Sequence, residues 1–296
     1  MTDQLLDIPP DWEKLELPAN GVALVIGAPD TGKSTFARWL FQRMSRASRH
    51  AAFLDGDPGQ SALGPPTTIT LAMSKPGDDA FPPAGQRWRR FVQAVSPRGH
   101  MLPLVVGAAR LIQAAQGAGA DTIVYDTTGF VDSTQGGLSL KLAKLELLQP
   151  AAVFAIQRDQ ELEPLLAILR RNLRGSRHTR LIELRPSAAI APRDVPARQA
   201  HRAAQFAHYM ASARALTLDW SRFAVVPAPR FAFQQLVALE DAQGFTLDLG
   251  IVQTADLKSK QVTLLTALTS LAGVEALRLG DLTLDPKTFR DQPLNT

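Results

Sequence analysis

Cysteine is absent from the 296 residues, which excludes disulfides, thiolate zinc sites and cysteine nucleophiles. No apolar stretch reaches the length of a membrane span. The amino terminus, MTDQLLDIPPDWEKLELP, lacks a basic region followed by an apolar core, so no secretion signal is expected. A cytoplasmic location with no membrane partner fits these absences. Internal repeats and low-complexity tracts are also missing. Lysine disappears between Arg158 and Arg202, where ten arginines face five acids. That surplus of five is about the whole chain's net charge of +4. Guanidinium forks suit phosphate oxygens better than ammonium groups do. An arginine-biased solvated face is the plain alternative.

What is present is a globular composition, 45% hydrophobic and 20% charged, long enough for one large α/β domain and a smaller one. Its centre is Gly27-Ala28-Pro29-Asp30-Thr31-Gly32-Lys33-Ser34, which fits G-x-x-x-x-G-K-[ST]. Before it, Val22 to Ile26 is a continuous apolar run of strand length, as in a parallel strand covered on both faces. After it, Phe36, Trp39, Leu40 and Met44 recur at helical spacing. Strand, glycine loop and helix form a phosphate cradle, in which backbone N–H groups and a helix N-terminus face the anion. Gly27, Asp30, Thr31, Gly32, Lys33, Ser34 and Thr35 are the expected nucleotide contacts. Lys33 would reach the β- and γ-phosphates of ATP and Ser34 would ligate Mg²⁺.

Further strands are expected at Ala51 to Leu54, Asp121 to Tyr125, Ala151 to Ile156 and Arg180 to Leu184. The first ends in Asp55-Gly56-Asp57-Pro58-Gly59-Gln60 and the second in Asp126-Thr127-Thr128-Gly129-Phe130. Carboxylates at the carboxyl ends of parallel strands beside a phosphate loop lie where ligands bind in doubly wound sheets. Asp57, with Asp55 on the same strand face, competes with Asp126 as the acid on the metal side. The cluster Arg87-Trp88-Arg89-Arg90 suits either nucleic-acid contact or a surface hairpin. A helix follows Gly136-Gly137, with Leu138, Leu142, Leu145 and Leu148 on one stripe, and another starts with Asp194 as N-cap and Pro196 in its first turn. On the latter, Arg198 and Arg202 share a face with Tyr209, the profile of a lid over the phosphates. Short β-rich runs separated by turns fill the chain beyond Phe223.

The order GAPDTGKST, LDGDPGQ, VSPRG, DTTGFV and an arginine series leading to F-x-x-Y resembles the P-loop polynucleotide 5′-hydroxyl kinases, the family of the kinase subunit of the mRNA cleavage machinery and of the nucleolar rRNA-processing kinase. The resemblance spans roughly residues 21 to 285. It implies transfer of the γ-phosphate of ATP to a free 5′-hydroxyl of RNA or DNA. It gives Asp57 the Mg²⁺-organising and general-base position, ahead of Asp126, with Asp55 in support. Arg193, Arg198 and Arg202 match lid arginines, and Gln60, Ser96, Thr128 and Phe130 fall among the substrate contacts. Phe130 stands where that family usually shows tryptophan, and Val95 where a hydroxyl residue is common.

The expected fold is therefore an α/β, doubly wound, mainly parallel P-loop NTPase sheet with an arginine-rich helical lid and a small C-terminal β domain. Its expected divisions are a lead-in over 1–20, a kinase domain over 21–225 with the lid near 158–213, and a β domain over 226–296. Two rival readings are a small-molecule kinase and a nucleotide-binding scaffold with weak ATPase. Steep loss of binding with salt would mark the polymer substrate, because only a polymer releases many counterions.

Overall fold

The computed structural model describes residues 9–47, 50–75, 77–173, 178–186 and 194–294, which form two compact units. The first holds residues 1–57, 70–87 and 104–193. Its middle strand, β1 (Gly21–Gly27), is buried along six of its seven residues and pairs in parallel with β5 (Thr122–Thr127) on one side and β6 (Ala152–Ile156) on the other. Continuous apolar runs of this kind need cover on both faces. Beyond β5 lie β2 (Ala51–Gly56), parallel, and β3 (Thr68–Met73), antiparallel. Beyond β6 lies β7 (Arg180–Leu184), again parallel. The order β3-β2-β5-β1-β6-β7 makes β1 the point from which the chain builds outward in both directions, and ligands bind at the carboxyl edge of such a point.

Helices α2 (Lys33–Ala47), α3 (Met101–Gly117), α4 (Gly137–Leu148) and α5 (Glu163–Asn172) connect these strands. The short α1 (Pro10–Glu13) is more than a lead-in. Trp12 is buried, edge-on to Phe36 with centroids 4.9 Å apart, and 5.5 Å from Trp39. Phe36 in turn lies 5.1 Å from Phe154 of β6, so the aromatic residues of α2 fasten it to the sheet.

The second unit gathers residues 58–69, 88–103 and 194–296. Its sheet runs β14-β13-β10-β11-β12-β8, from β8 (Arg214–Asp219), β10 (Gln235–Glu240), β11 (Thr246–Asp256), β12 (Gln261–Thr266), β13 (Ala276–Leu284) and β14 (Asp291–Pro293). The short β9 (Ala224–Val226) pairs in parallel with β13. This sheet begins twelve residues before the expected boundary at 226 and also takes α6 (Val195–Tyr209). The reason is burial: Phe206 and Met210 at the end of α6 pack with Leu236, Ala238, Leu249, Ile251 and Leu282. Phe91 of β4 (Arg87–Phe91) joins the same cluster. On the opposite face Leu218, Val237, Leu239, Val262 and Leu277 form a second core. Asp194 caps α6 by accepting from Ala197 N at 2.7 Å, as its sequence indicates. Among the described residues, no helix is long and apolar enough to cross a membrane.

Phe206→Ala removes the side chain that seats α6, and should cost about 3–5 kcal/mol in urea unfolding of the protein. A loss below about 1 kcal/mol would show that α6 is not docked on the second sheet.

Candidate functional site

The phosphate loop spans the gap between β1 and α2 in a conformation that needs its glycines. Gly32 takes a φ of +85°. A Cβ at Gly27 would fall 2.6 Å from the Ile156 carbonyl and 2.8 Å from Thr31 Oγ1, so no side chain fits there. Thr31 Oγ1 donates to the Ala28 carbonyl at 2.9 Å, and Lys33 Nζ donates to the same oxygen at 2.6 Å. Arg158, just past β6, donates through Nη2 to the Asp30 carbonyl at 3.1 Å. Its own backbone N–H is held by the Glu161 carboxylate at 3.0 Å. The sequence reading counted Arg158 only as part of the arginine run; its position at the carboxyl end of a core strand was the available signal.

Beside this loop the parallel register sets Asp126 opposite Val25 on one flank and opposite Asp55 on the other. Asp55 and Asp126 are buried and Asp57 is half-buried. The Ser34 hydroxyl, in the first turn of α2, is near enough to Asp126 to favour its ionised form. Burial pushes the Asp126 carboxyl up to about 6; Lys33 and the Ser34 hydroxyl oppose that shift, while Asp55 and Asp57 add to it. The register therefore sets Asp126, the weaker of the two candidates on the family pattern, at the edge of the loop. Asp57 lies in the same electrostatic field, one residue past the end of β2.

The donor set fits a magnesium ion. Asp126 Oδ1 is buried and accepts no hydrogen bond, and a serine hydroxyl stands beside the same carboxylate. Magnesium characteristically takes one or two protein oxygens and fills its octahedron with phosphate and water. In keeping with that, no group of three or more His, Cys, Asp or Glu side chains among the described residues forms an all-protein metal cage.

Two residues that the sequence reading passed over lie behind the acids. The expected leucine stripe on α4 is rotated: Leu140, Lys141, Lys144 and Leu145 are the buried positions. Lys141 donates to Thr127 Oγ1 at 2.9 Å and also to the Thr128 carbonyl. Lys144 Nζ sits 4.8 Å from the Tyr125 ring centroid, and burial pushes it down to about 7 against the pull of Asp57 and Asp126. Lysines three apart on the helix after an acid-ended strand were the signal; the leucine count masked it.

The other expected site residues divide between the units. In the first, Thr128 is buried, Phe130 is half-buried and its N–H points to Thr128 Oγ1 at 3.4 Å. In the second, Gln60 Nε2 donates to the Gly59 carbonyl at 2.6 Å and reaches the Arg198 carbonyl at 3.5 Å. Ser96 is exposed and its Oγ accepts from Arg98 N at 3.3 Å. Arg202 turns its fork onto Asp291, with bonds of 2.9 and 3.1 Å. Arg193, like Arg174 and Arg177, lies outside the described residues. Part of the arginine surplus is spent locally, since Arg170 bridges Glu163 and Glu183.

Residues 27–212 match the family model described as the mRNA cleavage and polyadenylation factor CLP1 P-loop. The chain is 30% identical over 154 residues to a polyribonucleotide 5′-hydroxyl-kinase of Pyrococcus abyssi, covering 52% of this chain and 42% of that protein. It is 27% identical over 208 residues to the protein of the same description from Thermococcus kodakarensis, covering 70% and 56%. The chain thus spans about half the length of the curated relatives it matches. Among solved structures it superposes on Clp1p in a wild-type Clp1p–Pcf11p complex with a TM-score of 0.65 at 12% identity, covering 89% of this chain and 74% of that one, a likeness of fold.

Above pH 6 the ionised Asp126 is held in the fold at a cost that the unfolded chain, with an ordinary carboxyl near 3.8, does not carry. The folded state binds more protons between about pH 4 and 6, so the native chain gains stability as pH falls through that window. Asp126→Asn should therefore stabilise the ligand-free protein at pH 8 by on the order of 2–3 kcal/mol, and the gain should vanish near pH 4. Urea midpoints at the two pH values test this, and an Asn variant less stable than the parent at pH 8 would contradict it.

Proposed function

The chain belongs to the CLP1 P-loop family, and on that premise we propose that it is an ATP-dependent polynucleotide 5′-hydroxyl kinase acting on RNA or DNA. The observation that carries the reading is the buried Asp126 Oδ1, which accepts no hydrogen bond, at the end of the strand paired with β1, beside an intact glycine cradle and Lys33. The description of the curated relatives as polyribonucleotide 5′-hydroxyl-kinases favours RNA and a place in RNA processing.

Phosphoryl transfer asks for positioning and charge neutralisation more than for covalent chemistry. In this proposal the N–H groups of residues 28–34 and the Lys33 ammonium hold the β- and γ-phosphates. Ser34 and Asp126 would hold Mg²⁺, which would supply charge neutralisation to the phosphates. Asp57, half-buried and so nearer to solvent than Asp55 and Asp126, accepts the proton of the 5′-hydroxyl. The 5′-oxygen forms its bond to the γ-phosphorus as the bond to the β–γ bridging oxygen breaks, and ADP leaves. Asp55 supports the acids from within the sheet. The family resemblance assigns Arg198 and Arg193 to the equatorial oxygens, and Gln60, Ser96, Thr128 and Phe130 to the terminal nucleotides. Arg202 is assigned to bracing α6, because its guanidinium is committed to Asp291. A cytoplasmic site of action accords with this reading.

Incubation with γ-labelled ATP, Mg²⁺ and 5′-hydroxyl RNA and DNA oligonucleotides should label the 5′ ends. Lys33→Met and Asp57→Asn should each lower the turnover rate by about 100-fold or more. Tight ATP binding with no transfer to any oligonucleotide would overturn the kinase reading in favour of a nucleotide-holding scaffold.

A further inference from the structure

Residues 128–136 leave β5 and return as α4 through a tight turn. Gly137 N donates to the Asp132 carbonyl at 2.7 Å, and a Cβ at Gly137 would lie 2.6 Å from both Asp132 N and Val131 C. One helical turn further on, Lys141 is fully buried and points back at the start of that segment. Its ammonium donates to the Thr128 carbonyl and to Thr127 Oγ1. The Thr127 hydroxyl spends its own proton on the Val25 carbonyl at 2.7 Å, so it can only accept from the lysine. The chain of bonds runs from α4 through β5 to β1, the strand that leads into the phosphate loop. Gly129, next in line, abuts that loop: a Cβ there would be 2.8 Å from Pro29 N and 3.0 Å from Pro29 Cα.

We infer that Lys141 is a positioning residue for the acceptor end of the polynucleotide, fixing the Thr128–Gly129–Phe130 turn against the phosphate loop from inside the protein. Its bonds go to the residues that open the acceptor turn, and none of its hydrogen bonds goes to the phosphate loop itself. A fully buried amine is costly, and burial together with Lys144 holds Lys141 well below its usual range. A methionine of similar length would fill the same space without that cost but could not hold the Thr128 carbonyl. The inference rests on the kinase reading for the identity of the ligand that the turn meets.

The test separates the two ligands in the 296-residue protein. ATP binding is measured by calorimetry, and binding of a labelled 5′-hydroxyl RNA oligonucleotide by fluorescence anisotropy, alongside the steady-state KM and kcat. Lys141→Met should weaken oligonucleotide binding and raise its KM on the order of tenfold, the loss of one buried hydrogen-bond donor. Affinity for ATP should stay within about twofold, and Lys141→Gln, which keeps a donor for the Thr128 carbonyl, should recover part of the loss. Thr127→Val keeps the lysine and removes its acceptor; it should shift oligonucleotide binding in the same direction, and carries the test if the methionine variant does not fold. Unchanged oligonucleotide binding, or an equal fall in ATP affinity, would overturn the inference. If the parent protein binds both ligands and transfers nothing, the kinase reading fails while the effect of Lys141 on oligonucleotide binding remains readable. A parent protein that binds no oligonucleotide overturns both.

Discussion

A buried carboxylate at the end of β5 stands at the edge where β1 runs into the glycine loop, and the rest of the first unit is arranged so that it does. Ser34 follows β1 by way of the glycine loop, and Asp126 ends β5. Because β1 and β5 are parallel neighbours with Val25 opposite Asp126, the loop and the acid emerge at the same edge. An antiparallel pairing would have put them at opposite ends of the sheet. Register alone therefore turns two segments about ninety residues apart into one site, and burial gives that site its strength, since charges interact most where water is excluded.

The same burial demands compensation. Asp55 and Asp126 are buried with Asp57 close by, and Lys33, Lys141 and Lys144 are buried in the same unit. Neither set is tolerable without the other, because an unpaired buried charge costs several kcal/mol. Gly56 belongs to this arrangement: a Cβ there would lie 2.2 Å from the Tyr125 ring, the ring over which Lys144 sits. In the second unit the charges are spent differently. Arg202 forks onto Asp291, Arg278 meets the buried Glu240 at 2.9 Å, and Arg89 donates to Tyr209, which donates to Asp248. Arginines that sequence composition offered as a phosphate-binding surface serve here, in part, as internal struts.

Where local chemistry decided the outcome, the sequence was legible. The glycine pattern fixed the cradle, the apolar runs fixed the five parallel strands, and Asp194 with Pro196 fixed the start of α6. The acids at the ends of β2 and β5 were placed at the sheet edge for the same reason. What escaped was whatever depended on tertiary partners. That Asp126 stands at the edge of the loop is set by the pairing of β1 with β5, which spacing along the chain does not reveal. Lys141 and Lys144 were hidden because a buried lysine and a solvated one look alike in a helix until its facing strand is known. The division near 226 missed β8 and α6 because Phe206 and Met210 show an apolar face without showing which core receives it.

The account thus comes down to one buried oxygen. Asp126 Oδ1 accepts no hydrogen bond, and its carboxylate is held costly and close to neutral pH beside a serine hydroxyl, the state of a ligand suited to a divalent cation brought in with a nucleotide. The most direct measurement is the rise in unfolding temperature produced by ATP with and without Mg²⁺, in the parent protein and in Asp126→Asn. Mg²⁺ should enlarge the ATP-induced rise in the parent and leave it unchanged in the variant. An equal Mg²⁺ increment in both proteins would contradict the assignment of Asp126 and the site built around it.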